Sequence, residues 1–426
     1  MDITKLIEQL NDSCECKRLE ALKELKKLTD EGKLAKPAVT NYVNNHIHTT
    51  YSFSPYSPTK ALYMAWQNGL KTAGIMDHDS TGGCKEFLKA AEILGMPVTC
   101  GVECRVDMSG TSLNGKRINN PDQKSVAYVA LHGIPHQFID EVNEFFAYYR
   151  AKRNERNKKM CQNITALVSP YGLSLDFDKD VVPLSNFAIG GSVTERHILY
   201  ALTKKIMERY PTAESLIDFA ENEMKIAVSD KIKDLLRSTP TDDIRYAYDV
   251  LGLLKGNMVE KFYIDATEEC PKVDDYIALA NRVGGIAAYA YLGDVGNSVT
   301  GDKKAQKFED DYLDELIEVL KEKRFNAITY MPTRNTPQQL DRLMALCDKN
   351  GFFQISGEDI NSPRQKFICV ALDDPKFGHL IEATYALIGH ENCGTENVED
   401  NMFSAKTKEK MPDLKDRIKH FASLAK

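Results

Sequence analysis

The sequence predicts an α/β fold, a barrel or open sheet of strands and helices with an all-helical domain inserted into it. Three observations predict it. Short apolar runs alternate with amphipathic helical stretches over residues 41–134, and again from 271 onward. Over 135–270 helix follows helix, and such a block inside a strand–helix alternation is an insertion rather than more of the same sheet. Metal-ligand residue types fall at strand ends, where α/β sheets and barrels carry their chemistry. The chain, 426 residues, is long enough for one large core plus an insertion. The expected division is a helical extension over 1–40, a first barrel part over 41–134, the insertion over 135–270, and a second barrel part with C-terminal helices over 271–426.

Residues 3–32 place Ile3, Leu6, Ile7, Leu10, Leu19, Leu22, Leu25 and Leu28 at mostly helical spacing, broken near Asn11-Asp12-Ser13. A first strand follows over 41–48. It carries His46 and His48 two residues apart, so both imidazoles leave the same side of an extended backbone and can grip one ion. Ser57-Pro58 opens a helix that Gly69 stops. The apolar run 71–76 is a second strand that delivers Asp77, His78 and Asp79 at its end. After Thr81-Gly82-Gly83 a helix runs to Leu94 and Gly95, and the β-rich run 97–104 carries one acid, Glu103. An ionised carboxylate among apolar neighbours is costly unless paired or metal-bound, which makes Glu103 a ligand candidate. The next strand, 125–134, contains Tyr128 and His132.

Helices are expected over 138–166, 194–210, 213–224 and 241–254. The basic run 150–159 reads as a solvated helix face or as an anion-attracting rim. Alternation resumes with a helix at 274–281, a strand at 284–291, a helix at 310–323 and a strand at 327–330. A further helix begins at Thr336-Pro337 and ends at Gly351, and strand 352–357 runs into Glu358-Asp359-Ile360-Asn361, again rich in ligand types.

A net charge of −7 gives no electrostatic case for a large nucleic acid as partner. No apolar run is long enough to span a bilayer, so no membrane partner is expected. Ten cysteines without Cys-x-x-Cys spacing read as free thiols of a reducing cytoplasm, with neither a zinc finger nor a disulfide framework.

Four motifs in order, His46-Ile47-His48-Thr49, Asp77-His78-Asp79, Gly101-Val102-Glu103 and Ser356-Gly357-Glu358-Asp359-Ile360-Asn361, make the chain resemble the polymerase and histidinol phosphatase (PHP) family of metal-dependent phosphoesterases. The resemblance implies a distorted (β/α)7 barrel holding up to three ions, Zn, Mn or Fe, at its C-terminal rim, and hydrolysis of phosphate esters by metal-activated water. It matches His46, His48, His78, Glu103 and Asp359 to the family's ligands, with Asn361 standing where a histidine is usual. Within the insert, residues 190–199 resemble the motif of members that act on nucleotides and short oligonucleotides, which implies that Arg196 and His197 face the phosphate as catalytic residues. The expected partner is therefore a small phosphorylated substrate, a nucleotide or short RNA.

The chain also departs from the family. Phe53 stands where an acid or histidine is usual, Tyr128 stands for another ligand unless His132 serves in its place, and Tyr291 replaces the histidine of an Ala-His-Pro motif. Phenylalanine binds no metal, and an amide oxygen is a weaker ligand than imidazole. One or two ions are thus expected rather than three. The alternative is a degenerate member that binds a ligand without hydrolysis. A carbon–nitrogen hydrolase of the amidohydrolase type would also begin with His-x-His, but it wants a bridging lysine and two further strand-end histidines, which find no place here.

Overall fold

The computed structural model describes residues 2–296 and 306–425. Among these, seven strands form one sheet in sequence order: β1 (Val43–Ile47), β2 (Thr72–His78), β3 (Val98–Asp107), β4 (Val126–His132), β5 (Ile286–Ala290), β6 (Ala327–Tyr330) and β7 (Phe353–Ser356). Neighbouring strands are parallel except that β4 runs antiparallel to both β3 and β5. A parallel bridge between Ile47 and Ile360 brings the end of β7 back to β1, so the sheet is a nearly closed barrel. Gly357 makes this closure feasible, because a Cβ there would stand 2.7 Å from the His46 Cβ.

Helices α1 (Ile3–Gln9) and α2 (Glu15–Asp30) lead in, and α3 (Pro58–Gln67) and α4 (Cys84–Leu94) cover the first parallel strands. Their ends follow local rules. Ser57 caps α3 by accepting from the Lys60 amide, with Pro58 at the first position, and Gly95 ends α4 in the left-handed region. Cys14 and Cys16 form a disulfide at the start of α2, against the expectation of free thiols throughout. A bridge closing so short a loop adds little to stability.

Helices α5 (Ile139–Val168), α6 (Glu195–Arg209), α7 (Ala213–Asp218), α8 (Asp230–Ser238) and α9 (Ile244–Phe262) lie between β4 and β5. They bury a hydrophobic cluster of their own around Ile164, Val168, Ile198, Leu202, Phe219, Tyr246 and Leu254. Phe53, from the loop after β1, belongs to this cluster rather than to the barrel's. The last α9 residues exceed the expected helix, since apolar positions Met258 and Phe262 continue the buried face beyond residue 254.

Helices α10 (Val273–Val283), α11 (Leu313–Glu322) and α12 (Pro337–Asn350) cover the second half of the sheet, followed by α13 (Gly378–Glu396), α14 (Ala405–Lys410) and α15 (Leu414–Ala422). Helix α13 plugs the barrel floor. Its Ala383, Ala386 and Leu387 pack with Ile286, Ala288, Ala327, Phe353 and Ile355, and its Thr384 and Glu391 accept hydrogen bonds from Asn45 and Thr99. With the N-terminal ends of the strands sealed, the C-terminal rim is left for chemistry. No helix among the described residues is long and apolar enough to cross a membrane.

One buried carboxyl yields a pH prediction. Glu309 is fully buried, accepts from the Tyr289 hydroxyl and the Leu292 amide, and leaves its second oxygen without a partner. Burial pushes its carboxyl up to about 7. The native state therefore holds this proton more tightly than the unfolded chain. Its stabilising effect is complete below about pH 4.5 and is lost as the pH rises to about 7, by up to about 3 kcal/mol. Denaturant unfolding of Glu309→Gln is expected to lack this part of the slope between pH 4.5 and 7 and to gain on the wild type above it.

Candidate metal centre

Side chains from four strand ends converge at the open rim. Strand β1 delivers His46 and His48, whose Nε2 atoms lie 3.2 Å apart. In the parallel register of β2 with β3, His78 stands opposite Glu103, and its Nδ1 lies 3.1 Å from the Glu103 Oε2. The same carboxylate oxygen is 3.6 Å from the His46 Nε2 and 3.8 Å from the His48 Nε2. From the turn after β7, the Asp359 Oδ1 reaches to 3.1 Å from the His48 Nε2. Donors around a tetrahedral ion with ligand bonds of about 2.0–2.1 Å stand roughly 3.3 Å apart. The observed separations, 3.1–3.8 Å, match that requirement.

Two overlapping sets of donors result: His46, His48 and Asp359, and His48, His78 and Glu103. A single imidazole lone pair serves one ion at a time, whereas a carboxylate has two oxygens. Glu103, whose carboxylate faces all three imidazoles, would be the group placed to serve both sets. Burial works against charge on His46, His78, Glu103 and Asp359. At His46 the Glu103 carboxylate overrides burial and holds the imidazole above its ordinary range. At His78 burial wins and pushes the imidazole down to about 3. The surrounding imidazoles override burial at Glu103, held down at about 2, and at Asp359, where His48 keeps the carboxyl well below its usual range. Ionised carboxylates and a neutral His78 are the forms a metal requires.

The remaining expected residues have the following partners. Asn361 donates its amide to the Asp359 Oδ1 at 2.6 Å, so it orients that carboxylate. Tyr128 lines the cavity above the cluster, opposite Arg105 of β3. Burial pushes its hydroxyl far up, which leaves a neutral phenol. On the same face of β4 but four residues on, beyond Ala130, His132 stands opposite Ile286 and is fully buried, with neither ring nitrogen hydrogen-bonded. Tyr291 donates to the Asp310 carboxylate. Phe53 packs edge-on against His197, 4.9 Å between ring centroids, and stands by Tyr200 and Tyr248.

The rim opens into a cavity of about 810 Å³ between barrel and insert. Arg196, Lys255 and Arg334 line it together with His46, His78, Glu103, Asp359 and Tyr128. The Arg196 guanidinium, together with burial, brings the Lys255 amine down to about 8. His197 is not on the cavity wall. Its Nδ1 accepts from the Thr194 amide at 2.9 Å, closing a capping box at the start of α6, and burial pushes it down to about 3.

The insert is clamped to the barrel by a buried charge lattice that sequence reasoning did not assign. Arg153 pairs with Asp79 at 2.5 Å and with Glu195 at 3.1 Å. Arg156 pairs with Glu195 and Glu269, and Arg105 pairs with Glu269. The basic run of α5 is thus divided, with Arg150, Arg153 and Arg156 buried and Lys152, Glu155 and Lys158 turned outward. Their three-residue spacing was the available signal, since it places three arginines on one helix side.

Comparison with known proteins bears on the same region. A family model described as the PHP domain matches residues 44–328, well over half of the chain. A 5'-3' exoribonuclease of Haemophilus influenzae is 29% identical over 76 residues, which cover 18% of this chain and 28% of that protein. A structure from Bifidobacterium adolescentis described as a metal-dependent phosphoesterase aligns with a TM-score of 0.49 and 19% identity over 81% of this chain and 96% of the other. An amidohydrolase from Chromobacterium violaceum with bound sulfate aligns with a TM-score of 0.49 and 16% identity over 77% and 90%.

Proposed function

The chain belongs to the PHP domain family of metal-dependent hydrolases, and from that premise we propose that it is a phosphoesterase acting on a nucleotide or short oligonucleotide through one or two divalent ions, Zn, Mn or Fe. The observation that carries this reading is the placement of Arg196 and Lys255 on the cavity wall with His46, His78, Glu103 and Asp359 of the rim. When bound, a divalent ion there supplies a Lewis acid for the phosphoryl oxygen and an activated water. His46, His48, Glu103 and Asp359 would hold one ion, and His78, which faces the same Glu103 oxygen, would help to hold a second. Arg196 neutralises charge that develops on the transferred phosphoryl group. His197 acts behind it as a positioning residue, because it fixes the first turn of α6 that carries Arg196. The limited likeness to an exoribonuclease agrees with a nucleotide-type substrate, and the cavity has room for one.

The second reading, binding without hydrolysis, is favoured by Phe53, Tyr291 and Asn361, which remove ligands that a third ion would need. Elemental analysis of chelator-free protein, with a panel of nucleotides and short oligoribonucleotides assayed on the same samples, separates the two. The hydrolase reading expects at least one Zn, Mn or Fe per chain and turnover, both lost in His46→Ala. Metal without turnover on any member of the panel, after loading with Mn or Zn, would favour the binder. Arg196→Ala is expected to keep its metal and lose about 100-fold in kcat/KM, the size of effect typical for one lost electrostatic contact to the transition state. An unchanged kcat/KM would remove Arg196 from the site.

A further inference from the structure

Behind His48 lies a fully buried chain of hydrogen bonds that ends on Asp77. The His48 Nδ1 is 3.2 Å from the Ser52 Oγ, which in turn donates to the Asp77 Oδ1 at 2.6 Å. The same Oδ1 accepts from the Thr49 amide at 2.7 Å, and the Thr49 hydroxyl reaches Oδ2 at 2.6 Å. His48, Thr49, Ser52 and Asp77 are each at most 1% exposed, so no water competes for these groups.

Counting protons along this chain decides the role of the His48 Nδ1. The Thr49 amide is an obligatory donor, so the Asp77 Oδ1 is an acceptor whether or not Oδ2 carries a proton. Ser52 has one hydroxyl proton, and it is committed to that oxygen. The Ser52 oxygen can then only accept from the imidazole. A His48 proton must therefore sit on Nδ1, and Nε2, 3.1 Å from the Asp359 Oδ1 and facing His46 and Glu103, is the nitrogen left to exchange any proton for a cation.

We infer that Asp77, acting through Ser52, locks His48 in the Nδ1–H tautomer and so presents its Nε2 ready for a divalent cation. Neither residue touches the ion; both are positioning residues. A direct carboxylate–imidazole contact is a common way to orient a metal-binding histidine, and here a serine hydroxyl is interposed. The relay also pins the loop 49–53, since Thr49 and Ser52 hang on the same carboxylate while the next residue, Phe53, is delivered into the insert's core. A site with fewer ligands than its relatives is thereby organised in advance, which reduces the reorganisation that ion binding requires.

The inference rests on the metal reading above, and its test separates the two. Long-range proton–nitrogen NMR spectra of metal-free, ¹⁵N-labelled protein distinguish the two neutral tautomers, with His48→Gln assigning the signal. The expected result is a single Nδ1–H form in the wild type and a mixture in Ser52→Ala. Competition of Zn²⁺ alone against a chromophoric chelator should show a 10- to 100-fold weaker site in Ser52→Ala, the range seen for lost partners of metal-binding histidines. Asp77→Ala should act in the same direction, and the rest of its spectrum reports whether it folds; if it does not, the wild type and Ser52→Ala decide. An Nε2–H form in the wild type, or Ser52→Ala with unchanged tautomer and Zn²⁺ affinity, overturns the relay. A wild type that shows the Nδ1–H form but binds no Zn²⁺ would instead confirm the lock on His48 and overturn the metal reading.

Discussion

On the proposed phosphoesterase reading, Glu103→Gln is expected to lose bound metal and turnover together, each by at least about 100-fold. The substitution preserves shape and removes one charge. Among the described residues, the Glu103 carboxylate faces all three imidazoles, at 3.1–3.8 Å. Loss of an outer partner alone costs 10- to 100-fold in metal affinity, so on the proposed reading loss of a ligand itself should exceed that. The measurement is metal content by elemental analysis, with turnover on whichever phosphoester the wild type accepts. A variant with wild-type metal content and full turnover would mean that the cluster is an ordinary buried ion-pair network and that any ion binds elsewhere.

Glu195→Ala is expected to destabilise the protein by about 3–5 kcal/mol, the cost of leaving a buried charge without its partner. Glu195 holds Arg153 and Arg156 and lies 3.7 Å from Arg105. Removing it leaves three buried guanidinium groups with only Asp79 and Glu269 to balance them. It is also the neighbour of Arg196 at the start of α6, so turnover should fall even at temperatures where the variant stays folded. Denaturant unfolding followed by circular dichroism gives the first quantity, and kcat/KM at low temperature gives the second. A loss of under about 1 kcal/mol would show the lattice to be solvated and relaxed, as surface pairs are.

Much of the architecture was legible in order. His46 and His48 were readable as a pair because a strand repeats every two residues, and that spacing survives any arrangement of the other strands. Glu103 and Asp359 stood out as acids closing apolar runs. The helical block over 135–270 was readable because its 3.6-residue periodicity persists without a strand between. The antiparallel direction of β4 was not legible, since a period-two pattern is identical read in either direction. The choice between Tyr128 and His132 depended on that register, which puts the tyrosine at the rim and the histidine in the floor.

The sequence by itself determined the donor types, their order along the chain and the strand ends that carry them, because these follow from residue chemistry and local backbone geometry. Only the tertiary structure decided what each donor meets. Asn361 turned to Asp359, His197 turned to its own helix end, and the charged run of α5 split into buried arginines and outward residues. Asp77 became the anchor of Ser52 rather than a ligand. Each of these outcomes is a contact across the closed barrel or between barrel and insert. The side chains involved are close because the ring of strands closes and the insert docks on its rim, and no local pattern encodes that distance.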